Sequence, residues 1–361
     1  MSSIPTFHES MIVLQPSTYC NLKCRYCYLA TTDLRRKMRP EIAHKVAEYI
    51  RGTGKAYDVA FHGGEPLTTG LNHFRALAEI FVAPDLRSRV HLSVQTNATL
   101  IDDRWCRLFE EFAFSVGVSL DGDSVLNRRR VYRDGTASFD AVCRGLSCLH
   151  RHNIPFGVIA VVGTDNLGEA ATIYSTVKQL GARTLAINIE EQDGTNKAGV
   201  RPTPEVDQFW KDLYRTWRED RSIAIREFDK AFELLATSLA SGSEHTTFPV
   251  NILPSVSVDG DVCLLSPELM NGTTKTLHDF IIGNVLVTPL HKLIEDGRTA
   301  NYVQDHMSGV DKCIKECEYY ELCGGGFASN KFFENGTTNS TLTDSCRNST
   351  IKLYDAILDS L

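Results

Sequence analysis

Three cysteines, Cys20, Cys24 and Cys27, fall within eight positions of one another in the stretch STYCNLKCRYCYLATTD. A tetrahedral zinc site asks for four protein ligands, and no histidine stands nearby in this loop to be the fourth. Three thiolates on a four-iron, four-sulfur cubane leave one iron without a protein ligand, which makes it a place where a small molecule can bind. The spacings of three and then two residues let a single loop wrap such a cluster. A second group, Cys313, Cys317, Cys323 and Cys346, lies in CIKECEYYELCGGGF and DSCRN. On spacing alone a structural zinc and an iron–sulfur cluster are both open there. Cys106, Cys143 and Cys148 sit in helical-looking segments and read as small core residues.

Thiols that bind a cluster need a frame to hold them. Apolar, β-branched runs recur at MIVLQ, YDVAFHG, RVHLSVQT, FSVGVSL, PFGVIAVVG and TLAINIE, each short enough for a strand buried on both faces. Helical patterns fall between them at about residues 39–51, 71–82, 101–112, 138–152 and 167–180, with starts marked by Pro40, Asp102 and Asn166 and a stop at Gly181. Alternation of this kind implies an α/β chain with a parallel sheet and right-handed crossovers, doubly wound or curled into a barrel. A long amphipathic segment is expected over 204–241, with Gly- and Cys-rich sequence and short strands beyond a boundary near 245.

Chemistry in such architectures gathers at the C-terminal ends of the strands. Here strand one runs into the cysteine loop, and the others end at HGGEP, QTN, SLDGD, GTDN and NIEEQDG. Each motif alone is explained by turn chemistry and helix capping; all of them around one cysteine cluster argue for a site. With 361 residues, 42% hydrophobic and a net charge of -7, the chain reads as an ordinary globular protein with no general pull toward nucleic acid. No apolar run is long enough for a membrane span, and the N-terminus lacks a secretory signal, so a cytoplasmic location with reduced thiols is expected. The basic stretch NRRRVYR reads as a solvated face, with docking of acidic peptide residues as the sharper reading.

Cys20-x3-Cys24-x-Tyr26-Cys27 followed by Gly63-Gly64-Glu65 after the second strand resembles the signature of the radical S-adenosylmethionine (SAM) superfamily. The resemblance implies a partial (β/α)6 TIM-type barrel over residues 9–200. It further implies that the amine and carboxylate of SAM chelate the open iron of a [4Fe-4S] cluster, and that one electron then releases a 5'-deoxyadenosyl radical that takes hydrogen from an unactivated carbon. Gly63, Gly64 and Glu65 match the motif that receives the methionyl amine. Tyr26, Gln95, Thr96, Asn97 and Ser119 fall where relatives bind the cofactor, and Arg130 is the candidate partner of the SAM carboxylate.

The C-terminal group resembles the SPASM extension of radical SAM peptide maturases, which implies one auxiliary [4Fe-4S] cluster on Cys313, Cys317, Cys323 and Cys346. A helical bridge would then span 201–245 and a small SPASM- or twitch-like domain with a terminal helix 246–361. A full extension carries two auxiliary clusters. Phe327 and Thr288 stand where further cysteines are expected, so the second cluster should be absent and Cys263 a structural relic, with a substrate-facing role as the minority reading. HGGEP and SLDG also resemble anaerobic sulfatase-maturating enzymes, but Leu264 replaces an acid of that family, which disfavours formylglycine formation.

The nearer resemblance is to Grr-type maturases of ribosomally made peptides, carried by QPSTYCNLKCRYCYLATTDLRRKM and NIEEQDG. It implies a cyclophane, in which an aromatic ring carbon joins the β-carbon of a residue two positions later. Asp121, Glu190 and Glu191 are then candidate proton acceptors, and the auxiliary cluster the electron acceptor. The implied partners are a precursor peptide and a flavodoxin- or ferredoxin-type reductant; with only about ten residues ahead of the first strand, leader binding is expected to fall to the SPASM region, the 204–241 segment or a separate leader-binding protein. Thioether formation, epimerisation and aliphatic rearrangement are alternatives within enzymes; a cluster-bearing sensor that no longer cleaves SAM is the alternative outside them.

Overall fold

The computed structural model describes residues 7–29, 32–241, 248–270 and 280–360. After a short strand β1 (Phe7–His8), six strands lie side by side in chain order, all parallel. They are β2 (Met11–Leu14), β3 (Tyr57–Phe61), β4 (Val90–Thr96), β5 (Ser115–Ser119), β6 (Phe156–Val162) and β7 (Thr184–Ile189). Helices α1 (Pro40–Thr53), α2 (Leu71–Phe81), α3 (Asp103–Glu111), α4 (Phe139–Arg151) and α5 (Ala170–Gln179) form the crossovers. Pro40 opens α1, where its missing N–H is no loss. The Asp102 carboxylate caps α3 by accepting from the N–H groups of Arg104 and Trp105. Asn166 does not open the fifth helix: α5 starts at Ala170 behind Glu169.

Burial along the strands has period two and separates their faces. Tyr57, Val59 and Phe61 of β3 are buried, and Phe61 stacks 5.0 Å from Phe74 of α2. Truncating such a ring to alanine costs about 3–5 kcal/mol. The other face carries Ala60, Ser93, Gln95, Gly117, Gly157 and Ser119, small or polar and partly accessible. Ile159 and Val161 of β6 share this face, but glycine at 117 and 157 leaves room on it for neighbouring polar side chains. Gly117 shows how: a Cβ there would lie 2.1 Å from Gln95 Oε1, so glycine lets Gln95 cross β5 and donate to Ser119 Oγ at 2.8 Å.

The segment 204–241 is two helices, α6 (Pro204–Asp220) and α7 (Arg226–Ser241), rather than one. Arg221 breaks it with φ 49°, and β8 (Ala224–Ile225) follows, pairing in parallel with β7. Tyr214, Trp217 and Phe228 pack ring on ring and fold the two helices together, a tertiary gain that overrides helical continuity. At the opposite edge β10 (Ser255–Val256) pairs in parallel with β2, and β11 (Asp261–Cys263) and β12 (Gly283–Asn284) continue antiparallel, giving one ten-stranded sheet. A two-residue strand β9 (Val250–Asn251) pairs with β1. Helices α8 (Leu290–Gly297), α9 (Asn301–Glu316), α10 (Tyr320–Cys323), α11 (Ala328–Asn335), α12 (Asp344–Cys346) and α13 (Lys352–Leu358) complete the chain. No helix among the described residues is long and apolar enough to cross a membrane.

Candidate functional site

The cysteine loop leaves the C-terminal end of β2 and is clamped from two sides. Its base closes on itself through Thr18 N–H to Arg36 O (3.1 Å) and Cys20 N–H to Thr32 O (3.2 Å). Its flank pairs with the basic stretch: Lys23 N–H donates to Val131 O (2.7 Å), Arg25 N–H to Arg129 O (3.0 Å), and Leu22 bridges Tyr132. Most of the arginines of that stretch are engaged inside the protein, while Arg128 makes a surface ion pair. Arg129 grips Glu190 through both nitrogens (2.5 and 2.7 Å), Arg130 pairs with Asp121 (3.0 Å), and Arg133 donates to Cys20 O (3.0 Å), while Arg128 pairs with Asp165 (2.6 Å). The expected solvated face, and the expected dock for acidic peptide, is instead a brace for the cysteine loop.

Burial pushes the thiols of Cys20, Cys24 and Cys27 up from their ordinary range, that of Cys24 to about 11. The Glu65 carboxylate adds to the effect at Cys20, and the Arg130 guanidinium opposes it at Cys24. Such thiols ionise when a cationic cluster core supplies the missing charge. Among the described residues no three His, Cys, Asp or Glu side chains close around a single ion. That suits a cubane, whose ligands each bind their own iron.

Glu65 is 2% exposed and ties the second and third strand ends together. Its carboxylate accepts from Leu67 N–H (3.1 Å), Thr96 Oγ1 (2.7 Å) and Asn97 N–H (2.8 Å). Burial raises its pKa to about 7 against these three donors, so a cation placed on its remaining lone pair would recover charge that the protein alone does not balance. Asn97 reaches Cys20 Sγ at 3.8 Å and Asn21 Oδ1 at 2.9 Å. Gly64, at φ 63°, has space for no side chain: a Cβ would lie 2.4 Å from Ser17 O and 2.8 Å from Tyr19 O. The GGE loop thus rests directly on the backbone that leads into the first cysteine.

The expected proton acceptors are differently placed. Asp121 is 1% exposed and takes Arg130 (3.0 Å), the Tyr26 hydroxyl (2.5 Å) and Val161 N–H (2.9 Å). Both Arg129 and Arg130 also lie over the Tyr26 ring, at 4.9 and 5.3 Å. Glu190 is occupied by Arg129. These two acids hold the site together as ion pairs. Glu191 has no cationic partner at ion-pair distance among the described residues; it accepts from Asn330 (2.9 Å) and Ser345 (2.9 Å), and burial raises its pKa.

Those two donors belong to the second cysteine group. Cys313 and Cys317 end α9, Cys323 ends α10 and Cys346 ends α12. Cys323 and Cys346 share a hydrogen bond that holds the Cys323 thiolate form down in pKa. Lys331 of α11 faces Cys313, Cys323 and Cys346, is 1% exposed, and its Nζ has no hydrogen-bond partner. A fully buried, unpaired ammonium is costly, and an anionic cluster on these four thiolates is the partner it lacks. The donor set therefore fits an iron–sulfur cluster, while no single-ion site forms among the described residues. Cys263 is 0% exposed and sits apart, against Ser266 O (3.5 Å) and Tyr302. Of the scattered cysteines Cys106 is core, whereas Cys143 and Cys148 are only half-buried, Cys148 packing against the edge of the core.

Four further residues lie near the cysteine loop: His62 and Asp193 sit inside the strand-end motifs HGGEP and NIEEQDG without a role of their own in the sequence, and Tyr28 and Glu268 carry no sequence signal beyond their types. Tyr28 and His62 share a hydrogen bond of 3.0 Å, and burial keeps the imidazole neutral. Asp193 and Glu268 come from far apart in the chain; burial raises the pKa of both, and the Glu268 charge adds to the rise at Asp193.

Residues 14–177 match the model of the Radical SAM superfamily. An uncharacterised protein of Synechocystis sp. is 31% identical over 98% of this chain and 92% of its own length. The cysteine-type anaerobic sulfatase-maturating enzyme of Clostridium perfringens is 27% identical over 88% of both chains. A solved structure described as native anSMEcpe with bound AdoMet and Cp18Cys peptide superposes with a TM-score of 0.78 at 24% identity, covering 98% of each chain.

Proposed function

The chain belongs to the radical SAM superfamily, and on that premise we propose that it is a maturase that modifies a ribosomally synthesised precursor peptide at an unactivated C–H bond. The observation that carries this is the three-thiol loop, held at the C-terminal ends of the parallel strands by Arg129, Arg130 and Arg133 and backed by the Gly64–Glu65 cradle. Cys20, Cys24 and Cys27 would hold the SAM-binding cluster, and Cys313, Cys317, Cys323 and Cys346 the auxiliary one. When bound, SAM and its cluster supply the 5'-deoxyadenosyl radical that takes the hydrogen.

The protein's own part is to orient and to shield. Glu65 offers its remaining lone pair to the methionyl ammonium, and Gln95 and Ser119 line the sheet face below. Buried Arg130, already paired with Asp121, keeps the cysteine loop in register; its role as partner of the SAM carboxylate is part of the same proposal. The reading with most support from the sequence is cyclophane formation, and Glu191, free of an ion pair, is then the acid placed to accept the ring proton among the three expected. An external one-electron reductant and a leader-binding protein complete the scheme.

A second reading, formylglycine formation, is favoured by the likeness to the Clostridium perfringens sulfatase-maturating enzyme. Leu264 argues against it, but Glu268 places an acid a turn further on. Anaerobic reconstitution with iron and sulfide counting tests the common premise: roughly eight irons in the wild type should fall to roughly four in a Cys20, Cys24, Cys27 triple alanine variant. Co-expression with a precursor peptide encoded beside the gene, read by tandem mass spectrometry, separates the two. A cyclophane removes two hydrogens and blocks fragmentation between the joined residues, whereas formylglycine yields an aldehyde that a hydrazide reagent captures.

A further inference from the structure

The turn Asp193–Asn196 docks on the residue that follows the third cysteine: Thr195 N–H donates to Tyr28 O at 3.0 Å, and Gly194 lies so close that a Cβ would meet Tyr28 O at 2.3 Å. Asp193 is 7% exposed, and its Oδ1 has no hydrogen-bond partner. Facing it is Glu268, on the turn Pro267–Met270, whose carboxylate accepts from the Ser266 hydroxyl and from its own backbone N–H. The charged groups around this pair are mostly of the same sign. Glu191 faces both, and the cation nearest Asp193, Lys197, is occupied by Gly194 O (2.8 Å) and the Phe333 ring. Tyr28 and neutral His62 close the side toward the cysteine loop. Buried Asp193, with its open acceptor, and half-buried Glu268, with no cation at ion-pair distance from either among the described residues, form a receptor that is missing its guest.

We propose that Asp193 and Glu268 bind a cationic side chain, arginine or lysine, of the peptide substrate and thereby set which residue lies beside the SAM-binding cluster. The inference rests on the peptide-maturase reading and deepens it. Without a guest, burial raises Asp193 to about 9 and Glu268 to about 7, with repulsion from Glu268 and Glu191 adding to the rise at Asp193 and from Glu191 at Glu268, so around neutral pH the pair retains a proton. A guanidinium that pairs with both carboxylates displaces that proton. Binding of the cationic peptide therefore tightens as pH rises from about 6 toward 9 and releases protons, close to two near pH 6 and about one near pH 8, whereas a neutral isostere does neither.

The test uses the reconstituted holoenzyme with SAM and two acetylated pentapeptide amides, Gly-Trp-Ser-Arg-Gly and the same peptide with citrulline in place of arginine. Titration calorimetry in buffers of different ionisation heat reads affinity and proton release together. The arginine peptide should bind at least tenfold more tightly at pH 8 and release a proton, and Asp193→Asn or Glu268→Gln should remove that preference while iron content and SAM affinity stay at the wild-type level. Equal affinity for the two peptides in the wild type overturns the receptor and leaves the peptide reading standing, as does a preference that survives in both variants. If neither peptide binds although SAM does, the peptide reading falls and the receptor with it.

Discussion

Replacing Arg130 by methionine isolates the brace under the cysteine loop. Arg130 and Asp121 are 7% and 1% exposed, and the carboxylate also takes the Tyr26 hydroxyl and Val161 N–H. Removing the guanidinium leaves a buried carboxylate with hydrogen bonds but no countercharge, a loss of about 3–5 kcal/mol. Unfolding entropy near 2.1 cal/mol/K per residue gives a 361-residue chain about 0.76 kcal/mol/K, so Tm should fall by about 4–7 °C. Because Tyr26 lies between Cys24 and Cys27, iron at the SAM-binding site should fall with it. The second change Asp121→Asn removes the stranded charge and should restore more than half of the lost Tm. Circular dichroism melts of anaerobically reconstituted protein read both effects. A single variant within about 1 °C of the wild type, or a double variant no better than the single, would refute the argument that this ion pair supports the loop.

Gly64→Ala should weaken SAM binding by about tenfold or more, since the left-handed backbone alone costs roughly 1–2 kcal/mol and the added Cβ meets Ser17 O. Gly70→Ala, also at positive φ but with nothing within 4 Å, should leave SAM affinity unchanged in the same equilibrium dialysis. Lys331→Met removes the buried cation beside Cys313, Cys323 and Cys346, so the auxiliary cluster's midpoint potential should become more negative in an EPR redox titration; an unchanged potential would place the ammonium away from the cluster. Cys263→Ala should keep the full iron count and lose only about 1 kcal/mol of stability from a small cavity, as urea unfolding and iron analysis would show.

Much of this site was legible because its signals are local. The spacing of Cys20, Cys24 and Cys27 lies within one loop, the six apolar runs state their own strand period, and Gly64 announces a backbone that no side chain permits. What the sequence hid is what depends on partners distant in the chain. NRRRVYR has the composition of a solvated face, and only the fold shows Arg129 and Arg130 turned inward onto Glu190 and Asp121. Asp121 and Glu190 stand at strand ends where a proton acceptor is expected, yet pairing makes them supports. The segment 204–241 has an unbroken helical period, but its aromatic residues pack better across a bend at Arg221 than along one rod.

The sequence by itself determined the class of fold, the two cysteine groups and the glycines of the cradle, because each follows from neighbours a few residues away. Tertiary structure alone decided which charges are spent and which are left open. Lys331 among the thiols and Asp193 opposite Glu268 become visible only when the folded chain shows a buried polar group without a partner, since an unmet charge is a property of the space around a residue and not of its place in the chain.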